Sequence, residues 1–106
     1  MNRGDLYWVD LNPTRGSEIN KLRPCVIVSA TPINKARRTV IVIPLSTAAT
    51  SKPPIVIPIH PLDKAQVMVC DQIRAIDKSR LTKFAGTMEA KDLRALEDSL
   101  RQVLSL

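Results

Sequence analysis

Aromatic side chains are scarce in this chain: Tyr7, Trp8 and Phe84 are the whole set. Three are too few for the row of rings on which single-stranded nucleic acid is commonly stacked. Histidine is scarcer, with His60 alone between Ile59 and Pro61. A lone imidazole with no second ligand nearby argues against a zinc site, reads as a surface-loop histidine, and closes the route in which two imidazoles share acid and base work. The two cysteines, Cys25 and Cys70, belong to no CxxC motif and lie in apolar runs. They read as buried free thiols, not a disulfide. No apolar run reaches the roughly 18–20 residues of a membrane span. The opening Met1-Asn2-Arg3-Gly4-Asp5 lacks the apolar stretch of a signal peptide. The expectation is a cytoplasmic chain without a membrane association. At 106 residues it accommodates one domain, spanning 1–106, with no internal repeat.

Positive charge is what the chain has in excess. Lys and Arg number 16 against 10 Asp and Glu, a formal net charge of +6. Residues 88–106 hold three basic and four acidic groups, so the whole excess sits on residues 1–87. A basic body attracts polyanions and speeds their encounter, which points to nucleic acid; a solvated basic surface is the bland alternative.

Short strands account for the first eighty residues. Leu6–Val9 is rich in strand formers and bounded by Gly4-Asp5 and Asn12-Pro13. Cys25–Val28 suits a strand buried on both faces. Thr31-Pro32 suits the start of a short helical turn, and Thr39–Ile43 is a strand stopped by Pro44. Ile55–Ile57, bracketed by Pro54 and Pro58, suits an edge strand. Val67–Ile76 reads as the longest strand, and Thr82–Gly86 as a short one. The period then changes: Leu93, Leu96, Leu100, Val103 and Leu104 form one stripe of a helix. The fold class is therefore mainly β (α+β): a small curled antiparallel β-barrel or SH3-like sheet with a C-terminal amphipathic helix. Two polar stretches, Asn12–Leu22 and Thr47–Pro54, are too long for tight turns and are candidate functional loops lining one basic cleft.

Several segments together resemble one family. They are Arg3-Gly4-Asp5-Leu6-Tyr7-Trp8-Val9-Asp10-Leu11-Asn12-Pro13, Gly16-Ser17-Glu18, Arg23-Pro24-Cys25-Val26-Ile27-Val28-Ser29, Val42-Ile43-Pro44-Leu45-Ser46-Thr47, and Asp71-Gln72-Ile73-Arg74-Ala75-Ile76-Asp77-Lys78-Ser79-Arg80-Leu81. In this order, and with the final helix, they resemble the MazF/PemK family, the toxin halves of bacterial toxin–antitoxin pairs. The resemblance implies a homodimeric curled barrel that cuts single-stranded RNA at short motifs, without a metal or other cofactor. The products are a 2′,3′-cyclic phosphate (in some members a 3′-phosphate) and a 5′-hydroxyl. It further implies a cognate antitoxin whose acidic disordered tail covers the RNA site.

Metal-free cleavage turns the 2′-hydroxyl on its own phosphate. It needs a proton acceptor, a proton donor and cationic or donor groups around the crowded phosphorus. Arg23 matches the catalytic arginine of the family's Arg-Pro pair, and a guanidinium presents a planar fork of donors to phosphate. Ser46 stands where the family usually carries a catalytic threonine, with Thr47 next to it. Register decides which hydroxyl faces the site. Glu18 matches a glutamate that helps catalysis in some members, either as a proton acceptor or by pairing with Arg23. Asp71 aligns with an acidic residue active in the PemK branch, and reads as lying within a strand. Ser17 and Val69 stand where that branch carries an active histidine and arginine, so the MazF-type set of Arg23 with Ser46 is the one present. Arg15, Lys21, Lys52, Arg74, Lys78 and Arg80 are candidate RNA phosphate contacts. Two other readings remain open at this point: a gyrase-poison-like toxin resembling CcdB on the same fold, or a catalytically inactive RNA-binding module.

Overall fold

A computed structural model describes residues 1–59 and 66–106; the His60 reading lies outside the described residues. Among these residues seven strands and two helices follow one another: β1 (Asp5–Asp10), β2 (Leu22–Ile27), α1 (Thr31–Ala36), β3 (Thr39–Ser46), β4 (Val56–Ile59), β5 (Gln66–Val69), β6 (Arg74–Asp77), β7 (Leu81–Thr87) and α2 (Ala90–Val103). Single 3-10 turns, Cys70–Gln72 and Lys78–Arg80, precede β6 and β7. Every strand pairing is antiparallel, in the order β4-β5-β3-β2-β1-β7, with β6 also on β3. Among the described residues the sheet does not close, and α2 completes the expected curled, mainly β architecture.

Prolines shape the sheet differently from the sequence expectation. Pro44 does not stop β3, which continues to Ser46. The Val28 N–H donates to the Ile41 carbonyl at 2.9 Å. By the alternation of an antiparallel ladder, the backbones of Ile41 and Ile43 then face β2, and those of Val42 and Pro44 face the opposite flank. On that flank the partner changes from β6, ending at Val42↔Arg74, to β5, beginning at Leu45↔Met68. The missing N–H of Pro44 falls in the gap between two ladders and breaks neither. The same alternation turns the Pro24 nitrogen toward β3, just past the last β2–β3 pair, Cys25↔Pro44. Pro58 lies inside β4, tolerated because β4 is an edge strand.

Val67–Ile76 is not one strand. It pairs with one end of β3 as β5, turns at Cys70–Gln72, and returns to the other end of β3 as β6. The polar pair Asp71-Gln72 falls within that turn, but local polarity does not say that the chain changes partner there.

Two clusters fill the two faces. Leu6, Val26, Ile43, Leu45, Met68 and Cys70 form one, closed over by Leu93, Leu96, Leu100 and Val103 of α2. Leu104, expected in that stripe, instead ends the helix half-exposed. Val9, Leu11, Cys25, Ile27, Val40, Val42 and Ile76 form the other, with Ile19 of the first polar loop packed against them. Buried on both sides, the Pro24–Ile27 part of β2 reads as a continuous apolar run. The helix covers one face; the first loop lies over the other.

Candidate active site

The loop-covered face carries the site. The β2–β3 ladder ends at Cys25↔Pro44. Two residues beyond, on the same face by the period of two, stand Arg23 on β2 and Ser46 on β3. Antiparallel pairing thus brings to adjacent strand ends two residues 23 positions apart in the chain.

Arg23 is half-buried, and its Nε donates to the Asn20 carbonyl at 3.2 Å. Among the described residues it forms no ion pair. The Asn20 carbonyl therefore orients the guanidinium, the task the sequence offered as one option for Glu18. Ser46 closes its strand with a local turn: its Oγ accepts from the N–H groups of Ala48 and Ala49, both at 3.1 Å. Two incoming donors occupy the oxygen's acceptor capacity and leave the O–H to donate outward. Its neighbour Thr47 is exposed and lies in the bend just past the end of β3.

Beside this pair lies a cleft of about 310 Å³, lined by Leu11, Glu18, Ile19, Pro44, Asp71, Gln72, Ile73 and Arg74. Pro44 joins it to the strand ends. The expectation of two long loops around a basic cleft is corrected on both counts. The second loop contributes nothing to the lining, and its far end is tied elsewhere: the Pro54 carbonyl accepts from Ser99 Oγ of α2, and the Ile55 carbonyl from the Cys70 N–H at 3.0 Å. Two carboxylates, Glu18 and Asp71, face a single guanidinium, Arg74. Asp71 is exposed in the Cys70–Gln72 turn, not set within a strand.

The first loop is fastened at its base, tip and side. At the base, the Leu11 N–H donates to the Lys21 carbonyl at 3.0 Å and the Lys21 N–H to Asn12 Oδ1 at 3.2 Å. At the tip, Glu18 Oε1 accepts from the Arg15 N–H at 2.6 Å while the Glu18 N–H donates to the Arg15 carbonyl at 3.1 Å. At the side, Gln72 grips both Ser17 and Ile19. Sequence reasoning missed Gln72 and Asn20. A neutral amide or a backbone carbonyl announces no chemistry, and only contact between positions 53 apart in the chain reveals the first of them.

The predicted phosphate contacts divide. Arg74 Nη1 donates to the Leu11 carbonyl at 3.3 Å, Lys78 Nζ to the Asn34 carbonyl, and Arg80 Nη1 to the Asp10 carbonyl at 3.1 Å and to that of Asn12. Each ties one segment of backbone to another. Arg15, Lys21 and Lys52 are exposed, and no side-chain hydrogen bond or ion pair holds them among the described residues. Cys25 lies beneath this face, its Sγ 3.8 Å from the Arg23 carbonyl; burial pushes its thiol up to about 12, the nearby Arg74 opposing the shift. A thiol so held is inert as a nucleophile. Among the described residues no cluster of three His, Cys, Asp or Glu side chains is placed to hold a metal ion.

Comparison with known proteins bears on the family and the fold. Residues 2–104 match the family described as PemK-like, MazF-like toxin of type II toxin–antitoxin system. The chain is 34% identical to the endoribonuclease MazF of Staphylococcus saprophyticus, over all of this chain and 92% of that protein. It is 32% identical to a MazF endoribonuclease of Mycobacterium tuberculosis, over all of this chain and 98% of that one. In fold it is similar to the crystal structure of MazF from Deinococcus radiodurans, with a TM-score of 0.89 at 22% identity, covering all of this chain and 97% of the other. A mycobacterial endoribonuclease in complex with its cognate antitoxin has the same fold, with a TM-score of 0.84 at 22% identity, over all of this chain and 96% of that one. The chain belongs to the PemK-like, MazF-like toxins of type II toxin–antitoxin systems.

Proposed function

We propose that this protein is a sequence-specific, metal-independent endoribonuclease toxin, an mRNA interferase. It acts in the cytoplasm as a homodimer and is silenced by a cognate antitoxin with an acidic disordered tail. The observation that carries the reading is the juxtaposition of Arg23 and Ser46 at adjacent strand ends beside a cleft holding two carboxylates. The endoribonuclease relatives match over the whole chain, which supports it. No helix among the described residues is long and apolar enough to cross a membrane.

The 2′-oxygen attacks the adjacent phosphorus, the bond to the 5′-oxygen breaks, and a 2′,3′-cyclic phosphate and a 5′-hydroxyl result. Arg23, steadied at Nε, turns its remaining donors to the non-bridging oxygens, where negative charge grows as phosphorus becomes five-coordinate. Ser46 donates its O–H to the same phosphate and holds it in line. The 2′ proton passes to a carboxylate of the cleft, and the departing 5′-oxygen takes up a proton from solvent water to become the 5′-hydroxyl. Glu18 has one oxygen committed to the Arg15 N–H and the other open. Asp71 is exposed on the opposite wall.

The test is cleavage of a long mixed-sequence RNA in excess EDTA by the wild type, Arg23→Ala and Ser46→Ala, with the ends mapped. Discrete cuts leaving 5′-hydroxyl ends, absent with Arg23→Ala, are the expected result. Undiminished cutting by Arg23→Ala overturns the assignment of that residue. Salt-sensitive RNA binding without cleavage by the wild type makes the protein an inactive RNA-binding module, and neither binding nor cleavage directs attention to gyrase.

A further inference from the structure

Far from the Arg23–Ser46 end of β3, the strand begins in a basic corner that the cleavage reaction does not use. The C-terminal end of α1, the start of β3, the end of β6 and the Lys78–Arg80 turn meet there. Thr39 pairs with Asp77, and the Lys78 N–H donates to the Arg38 carbonyl at 2.9 Å. The segments 35–39 and 77–80 hold five cations, Lys35, Arg37, Arg38, Lys78 and Arg80, against one carboxylate, Asp77. Asp77 already accepts from the Ser79 N–H at 2.9 Å, and both Arg38 and Arg80 add to the hold on its charge. The two ion pairs among the described residues, Arg3–Glu97 and Arg101–Asp98, both involve α2 and neutralise none of these cations.

A depression of about 320 Å³ opens at this corner, lined by Ala36, Arg37, Arg38 and Thr39. Two arginines and a threonine line it, and Ala36 is the sole apolar residue among them. An amphipathic peptide that folds on binding needs pockets of large apolar side chains for its anchors, and the only apolar residue of this lining is Ala36. A phosphodiester chain needs charge and donors, which it has.

The corner is physically continuous with the site. Arg80 reaches across to the Asp10 and Asn12 carbonyls, where the first loop departs toward Glu18 and returns at Arg23. Thr39 and Ser46 are the two ends of β3, about 23 Å apart at strand rise. We propose that Arg37 and Arg38 form a second phosphate-binding anchor for the stretch of RNA chain that flanks the cut motif. The anchor adds affinity for long RNA without touching the bond that breaks. This proposal rests on the reading that RNA is the substrate.

Two RNAs test it, both made uncuttable by 2′-O-methyl groups: one trimmed to the mapped cut motif, one extending well beyond it on both sides. Affinities of the wild type and of Arg37→Gln/Arg38→Gln are measured over a range of salt, and cleavage rates are measured on the unmodified versions. The unfolding midpoint is checked alongside. Both side chains are exposed, so the fold persists; single variants replace the double should it fail. The double variant is expected to bind the long RNA several-fold more weakly. Its slope of log affinity against log salt should be smaller by about 1.4, the release from two phosphates of a single strand. Binding and cutting of the trimmed RNA should be unchanged. An unchanged slope on the long RNA, or equal losses on both RNAs, overturns the anchor. So does a defect confined to binding a poly-glutamate peptide, which would give the corner to an acidic protein partner. Failure of the wild type to bind either RNA sinks the functional reading itself, whereas an unchanged long-RNA arm with intact cleavage sinks only the anchor.

Discussion

Gln72 holds Ile19 across the cleft: its Oε1 accepts the Ile19 N–H at 2.7 Å, while its Nε2 donates to the Ser17 carbonyl at 3.2 Å. The residue between those two anchored positions is Glu18, so one amide sets where the loop carboxylate stands.

Gln72→Leu is therefore expected to release the loop. The two bonds are only partly shielded from water, so the stability cost is modest, about 1 kcal/mol. Cleavage should fall further than stability, by roughly tenfold, because the carboxylate is no longer positioned. Faster amide exchange at Ile19 with an almost unchanged unfolding midpoint would show this; unaltered exchange would refute it.

Ser46 has two duties, and variants separate them. Ser46→Ala removes the oxygen that accepts from Ala48 and Ala49 and should cost about 1 kcal/mol, together with a large loss of cleavage. Ser46→Thr retains the hydroxyl and should keep most of both. Thr47→Ala, altering an exposed hydroxyl in the bend beyond β3, should leave cleavage near wild type. A loss with Thr47→Ala and none with Ser46→Ala would reverse the assignment. Denaturant melts beside single-turnover cleavage decide it.

Cys25 makes a pH prediction with a definite sign. Its thiol titrates at about 12 in the fold against 9.0 ordinarily, because burial disfavours the thiolate. The unfolded chain thus releases this proton first, and the contribution of Cys25 to stability falls as pH rises from 9 toward 12. Below pH 9 it is fully present. Cys25→Val should lose less stability than the wild type between pH 8 and pH 10, measured as urea midpoints at the two values. Equal losses would contradict it.

Leu96 of α2 is fully buried against the sheet. Leu96→Ala should cost about 2–5 kcal/mol through lost transfer energy and a cavity. The urea midpoint should drop at unchanged slope. Since α2 covers the face away from the site, the folded fraction should retain wild-type cleavage per molecule.

Much of this was legible beforehand, for particular reasons. The α2 stripe shows because 3.6-residue periodicity survives in one dimension, and it failed only at Leu104, where the helix ends. The inner part of β2 shows because burial on both faces leaves Cys25–Ile27 an unbroken apolar run. Arg23, Ser46 and Glu18 were marked by the family resemblance and by the donors and acceptors that phosphate chemistry demands. By itself the sequence also determined the basic balance of residues 1–87 and the edge position of the proline-rich strand β4.

The tertiary structure alone decided which flank each proline nitrogen faces, and so why β3 runs through Pro44. It decided that Val67–Ile76 folds into two strands on opposite ends of β3. It separated Arg74, Lys78 and Arg80, spent on backbone carbonyls, from Arg15, Lys21 and Lys52, whose heads lie in solvent. It found Gln72 and Asn20, and ended β3 at Ser46 with Thr47 in the exposed bend beyond it. Local pattern records how a residue relates to its neighbours a few positions away. Partner, register and the far end of a hydrogen bond are set by segments tens of residues distant, and these exist only once the chain has closed on itself.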